Sequence, residues 1–262
     1  MERGAARRAR HPRLHDRRRR PQAALKKLLK SLRLAPLGDA AVYAEFGDRL
    51  DLELNASLQA LAAALRARAL PWIGDVVPSL CGIALHLDVD HPDAPAAPLE
   101  PVRALLEDCF KAASKFEDAG RTVEVPVCYD RELGLDLPEI AKRLSLSEAE
   151  IARRHSKSEH VVLMVGFSPG QPYIGGLDPK LAVPRRATPR TRVPAGAVAI
   201  ANAQTAVYSY ETPGGWNVIG RTPLAVFDPA REPPSLFAPG DRVRFVPIGL
   251  AEYRAAAAEA AA

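Results

Sequence analysis

The chain has 262 residues, 47% of them hydrophobic and 26% charged, enough for one large or two small domains with a sizeable core. No uncharged apolar run reaches the roughly 18 residues of a membrane-spanning helix, and no apolar segment follows the N-terminal positive charges as in a secretory signal. Three cysteines, Cys81, Cys109 and Cys128, form no C-x-x-C pair, which excludes a complete disulfide framework and points to a reducing cytoplasm without structural zinc. The net charge of +5 is unevenly spread: residues 1–30 hold nine arginines and three lysines against Glu2 and Asp16, or +10, which leaves −5 on the rest.

Residues 1–30 therefore read as a basic, self-repelling tail. No aromatic residue interrupts its arginines to stack on bases, so no specific nucleic-acid partner is expected. Over 31–130, Leu32–Ala35 and Ala40–Phe46 predict short strands around the turn-forming Pro36 to Asp39. Leu52, Leu54, Leu58, Leu61 and Leu65 recur at near-helical spacing and stop before Pro71. Ile73–Val77 and Ile83–Val89 predict two more strands. A linker with Pro92, Pro95 and Pro98 leads to a helix carrying Val102, Leu105, Leu106, Cys109 and Phe116, and Thr122–Val127 predicts a final strand. The order ββαββαβ implies an α+β domain, with helices on one face of a mostly antiparallel sheet.

Residues 131–157 read as a helical connector, in which Ser147 and Glu150 have capping-box spacing before Ile151. Over 158–250 the texture changes to short β-prone runs: Val161–Val165, Val198–Ala201, Ala206–Tyr210, Leu224–Phe227 and Arg242–Val246. Eight glycines and eight prolines fall between Gly166 and Pro223. Interleaved with Val, Ile and Tyr runs, that density indicates a β-barrel or sandwich with tightly specified turns. The stretch from Gly166 to Leu177 reads as an irregular loop. Residues 251–262 predict an alanine-rich helix or tail.

The Gly166–Pro223 stretch also concentrates positive charge. Arg185, Arg186, Arg190, Arg192, Arg221 and Lys180 face only Asp178 and Glu211, giving +4 on an otherwise acidic body. Arginine's planar fork suits carboxylate or phosphate. Arg185 and Arg186 read equally as a solvated hairpin tip or an anion site, whereas Arg190 and Arg221, in turns, favour function. Phe167, Tyr173 and Trp216 either line a pocket or fill the core. His155 and His160 flank a strand start, where histidines are more often structural. Cys128 reads as packing, and Glu211 is the best-placed carboxylate. No phosphate-cradling glycine motif is present.

The stretches GFSPG (166–170), YIGGL (173–177), PRRATPR (184–190), VPAG (193–196), QT (204–205), TPGGW (212–216) and IGRTP (219–223), with Tyr208, carry a resemblance. From about Leu32 to Ile248 the chain resembles the 5-oxoprolinase B-subunit family, also called allophanate hydrolase subunit 1 or sporulation-kinase inhibitor. Gln171, Ala197 and Asn202 depart from the family's pattern. The resemblance implies a small α+β N-terminal domain followed by a cyclophilin-like β-barrel. It implies a cytoplasmic protein acting with C-like and A-like partner proteins in ATP-dependent hydrolysis of 5-oxoproline to glutamate, ATP entering with Mg as co-substrate and no metal being held by the chain itself. Other implied readings are a regulatory module inhibiting a sensor histidine kinase and a component of urea- or allophanate-linked amide hydrolysis. For the hydrolase, Arg190, Arg221 and Arg185 are expected around phosphate or the substrate carboxylate. Gln204, Thr205 and Tyr208 are expected as neutral hydrogen-bonding groups, with Phe167, Tyr173 and Trp216 lining the site and Glu211 or His155 moving protons.

Overall fold

A computed structural model describes residues 29–113 and 120–260, so the basic tail up to residue 28 and Phe116 of the second expected helix lie outside the described residues. The first domain is a four-stranded antiparallel sheet of order β1-β2-β4-β3, with β1 Arg33–Pro36, β2 Ala41–Glu45, β3 Ile73–Pro78 and β4 Gly82–Leu87. Helix α1, Leu52–Ala67, starts where the Asp51 carboxylate accepts from the amides of Glu53 and Leu54. Its leucines at 58, 61 and 65 are fully buried on the sheet, each worth about 1.5–3 kcal/mol of transfer free energy. Helix α2, Leu99–Ala113, adds Val102, Leu106 and Phe110 to the same core, where Phe110 meets Phe46 edge-on with ring centroids 5.4 Å apart. Both helices share that one core, as the ββαββα pattern predicts.

The strand β5, Thr122–Cys128, corrects the sequence reading, which places it in this first sheet. It lies instead in a closed barrel of order β10-β7-β6-β13-β5-β12-β9, paired in parallel with β13, Arg242–Ile248, and antiparallel with β12, Asn217–Arg221. Val123, Val125 and Val127 alternate into the barrel core. Period-two alternation reveals which face is buried, but not against which core.

The other barrel strands are β6 His160–Val165, β7 Pro172–Gly175, β9 Ala197–Ala201 and β10 Gln204–Val207. β7 is a second correction, since the sequence around it reads as irregular loop. Pro172 begins the strand and leaves later amides to the ladders with β6 and β10. A third correction concerns Leu224–Phe227, which is no strand beyond a bridge from Phe227 to Ser235. The Arg231 guanidinium donates to the carbonyls of Ala225, Val226, Pro233 and Pro234, taking acceptors that a ladder would need.

Helix α3, Leu137–Leu144, and helix α4, Glu148–Lys157, place Leu137, Ile140 and Ile151 in the barrel core. Ser147 caps α4 as its spacing predicts, its hydroxyl accepting from the Glu150 amide at 3.1 Å. A two-stranded ribbon of β8, Arg190–Val193, and β11, Thr212–Gly214, stands apart from the barrel ladder. Helix α5, Leu250–Glu259, closes the described chain.

Candidate functional site

The arginine-rich stretch is organised by an aspartate. Asp136, just before α3, is 2% exposed and receives the Arg190 guanidinium on both oxygens, at 2.7 and 2.8 Å. Arg186 donates to the same carboxylate. At β12 the register with β9 shifts between Val218 and Gly220, and there Val218 exchanges bonds with residue 136: its amide donates to Oδ2 at 2.7 Å, while the Asp136 amide donates to the Val218 carbonyl at 2.8 Å. Arg190, expected on a ligand anion, is thus committed to a protein carboxylate. Asp136 escapes the sequence reading because a lone Asp before a helix looks like ordinary capping chemistry, and nothing local ties it to residues 50 and 54 positions away.

Around this clasp, residues Val183 to Arg186 cross the barrel wall as a strap. The Asn202 amide donates to the Val183 carbonyl, Asn217 Nδ2 donates to the Pro184 carbonyl at 2.9 Å, and the Arg186 amide donates to the Gly215 carbonyl at 2.8 Å. Arg185 is therefore held between pinned neighbours. Its guanidinium carbon lies 5.9 Å from the centre of the Trp216 ring, within cation–π range. Trp216 meets Tyr173 edge-on at 5.8 Å. Beneath them Ala197, Ala199, Ala201 and Ala206 are buried with Tyr208, Val193 and Val218. Gly214 is required here, because a Cβ at that position would collide with the Tyr208 hydroxyl. Burial pushes the phenols of Tyr173 and Tyr208 upward, opposed by the nearby Arg185 charge, so both stay neutral hydrogen-bonding groups at neutral pH.

Arg185 is exposed and has no carboxylate partner among the described residues. Gln204 lies on the same outer face, since its neighbour Thr205 points into the barrel and Ala206 outward. Its Nε2 is buried without a hydrogen-bond partner. The structure thus brings together Arg185, Tyr173, Tyr208 and Trp216 as a shelf, with Gln204 on the same barrel face.

It does not bring the remaining expected residues to that shelf. His155 is fully buried inside the barrel, with Nδ1 2.7 Å from the Tyr129 hydroxyl, Nε2 3.2 Å from Thr205 Oγ1 and its ring 4.4 Å from that of Phe245. Burial, with the charge of neighbouring His160 as a smaller cause, holds it well below the usual imidazole range and therefore uncharged. His155 and Thr205 consequently form a core network, and the expectation that His155 moves protons or that Thr205 meets a ligand at this face does not fit their placement. Glu211 is paired with Arg192 on the surface ribbon, with Arg192 Nε 2.8 Å from the carboxylate. Arg221, at the opposite end of β12 from Trp216, donates through Nε to the Ala195 carbonyl at 2.8 Å. Phe167 is 70% exposed with φ of +74°, on a loop tied down by the Ser168–Ser209 hydroxyl contact at 2.9 Å.

Comparison with known proteins agrees with this architecture. The family described as carboxyltransferase domain, subdomain C and D, matches residues 32–237. The B subunit of 5-oxoprolinase from Bacillus subtilis (strain 168) is 39% identical over 225 residues, covering 84% of this chain and 94% of that protein. Among solved structures, TTHA0988 is 40% identical with a TM-score of 0.68; the match covers 79% of this chain, which spans only 40% of that longer one. A conserved uncharacterized protein of Pyrococcus horikoshii is 38% identical with a TM-score of 0.50, covering 84% of this chain and all of that one.

Proposed function

The chain belongs to the 5-oxoprolinase B-subunit family, and from that membership we propose that it is the B component of a complex that hydrolyses 5-oxoproline to glutamate with consumption of ATP. The observation that carries this reading is the 39% identity that runs over 94% of the length of each of two relatives bearing that name, which leaves little room for a different domain plan.

The chemistry explains why partners are needed. A lactam carbonyl is a poor electrophile. Transfer of a phosphoryl group from ATP to its oxygen makes the ring carbon electrophilic; one water then adds, the C–N bond breaks to leave an acyl phosphate, and a second water releases phosphate. Such transfer needs a phosphate-binding cradle and concentrated positive charge. In this chain α1 and α4 are capped by their own Asp51 and Ser147 side chains, and Arg186 and Arg190 are both engaged by Asp136. We therefore assign nucleotide handling and its Mg to the A-like and C-like partners, and substrate holding to this chain. On the outer face the half-buried Tyr173 offers an aromatic ring and a neutral phenol to a five-membered ring, with the exposed Arg185 cation near it.

Reconstitution tests this. The chain mixed with its A-like and C-like partners is expected to release glutamate and ADP from 5-oxoproline and ATP, with no release when any one is omitted. Equal release without this chain, or by this chain alone, would overturn the reading.

A further inference from the structure

We propose that Arg185, standing over Trp216, is the carboxylate-binding residue of this face, and that the ligand lies beside the half-buried Tyr173 with a second acceptor on the side of Gln204. This deepens the reading of the chain as part of a 5-oxoprolinase and rests on it for the identity of the ligand, though not for its chemical class.

Arg186 and Arg190 are engaged by Asp136, Arg192 by Glu211 and Arg221 by the Ala195 carbonyl. Arg185 remains without a carboxylate partner among the described residues. A surface arginine is normally free to sweep through solvent, but this one springs from a strap fixed on both sides, by Asn217 at Pro184 and by Gly215 at Arg186. Its planar fork rests over an indole that is 7% exposed. Pre-ordering of this kind lowers the entropy lost when a carboxylate docks, and the fork matches two carboxylate oxygens at once. Gln204 supplies the second requirement. A buried amide NH₂ without a protein acceptor is unfavourable until a water or a ligand carbonyl that displaces the water completes it. Together the two groups ask for a small molecule presenting a carboxylate and a separate carbonyl oxygen. The part-exposed ring of Tyr173 on this face suits contact with a compact ring, and 5-oxoproline meets each condition.

Trp216 is a built-in reporter once the chain's other tryptophan, Trp72, is replaced by phenylalanine. In the full-length Trp72→Phe protein, titration with 5-oxoproline is expected to give a saturable change in Trp216 emission. 2-Pyrrolidone, the same lactam without the carboxylate, should bind at least about tenfold more weakly, the loss expected for one charge-assisted contact. Arg185→Ala should weaken 5-oxoproline by a similar factor, leave pyrrolidone unchanged and keep the melting temperature. Arg185→Lys should recover only part of the affinity, whereas Arg192→Ala should bind 5-oxoproline as tightly as the parent. In the reconstituted complex, Arg185→Ala should raise KM with little change in kcat. Equal binding of the two lactams, an unaltered titration in Arg185→Ala, or no saturable change with any ligand would overturn the proposal. If the wild-type mixture hydrolyses nothing while the carboxylate-dependent titration persists, the assigned reaction fails and the Arg185 site stands.

Discussion

Asp136 shows how much depends on one buried charge. Two guanidiniums, 23% and 26% exposed, converge on a carboxylate that is almost fully enclosed. Removing the carboxylate leaves both guanidiniums without their shared acceptor, which costs about 3–5 kcal/mol, whereas removing one guanidinium leaves Asp136 paired with the other and costs less. Asp136→Asn is expected to lose about that much in urea unfolding and Arg190→Ala a smaller but clear amount, although Arg190 stands at the very start of β8; an unchanged midpoint for Arg190→Ala would remove the clasp from the stability of the fold. The barrel histidines act through the absence of charge. His155 and His160 are held below the ordinary imidazole range by burial, whereas in the unfolded chain they take up protons below a pH of about 6.5. The unfolded state then binds more protons than the folded one, so stability is full above that pH and falls as pH drops towards the lower folded values, by up to about 1.4 kcal/mol per pH unit for each histidine. Melting temperatures at pH 7.5 and 5.5 should differ accordingly, and His155→Gln should flatten the dependence; a flat wild-type profile would contradict it.

Among the elements, those with strong local signatures are legible in the sequence. The leucine spacing of α1, the Ser147 cap of α4 and the valine alternation of β5 each follow from the residues themselves. Partners are not legible, because pairing across the chain leaves no local trace. The sequence therefore points β5 to the wrong sheet, glycines and prolines hide β7, and the arginines of the candidate site cannot be sorted into engaged and free without Asp136. Basic and aromatic residues are dense around Arg185 in the sequence, but nothing local ranks it above Arg190 and Arg221, which the sequence favours, or separates Tyr173 and Trp216 from Phe167. The β5 correction has a direct consequence. A polypeptide that begins at residue 131, as the composition boundary suggests, lacks the strand between β12 and β13 and leaves both edges unpaired. It is expected to aggregate, while one beginning at residue 120 stays soluble with strand-rich circular dichroism. Equal solubility of the two would show that the barrel tolerates an open seam.

At the scale of the molecule, two separate cores meet through α1. Gln59 Nε2 donates to the Leu163 carbonyl of β6 at 2.8 Å, and Leu52 packs over Gly175 of β7. A Cβ at residue 175 would lie 2.7 Å from Leu52 Cδ2 and 3.0 Å from Leu163 Cδ1. Gly175→Ala should therefore overpack the junction at a cost of about 1–3 kcal/mol and separate the calorimetric unfolding of the two halves. A single unshifted transition would show that the junction absorbs the methyl group.

The parallel seam between β5 and β13 also sets a timetable. Every pair in that register, from Thr122 with Arg242 to Cys128 with Ile248, joins residues 120 positions apart. The first sheet and its helices draw on residues already synthesised by Ala113, so they can collapse early on local contacts. Val123, Val125 and Val127, by contrast, must wait while a further 120 residues are synthesised before their partner strand emerges from the ribosome. During that interval an apolar strand with both edges open is exposed to other nascent chains, a hazard of synthesis that the stability of the finished fold does nothing to shorten.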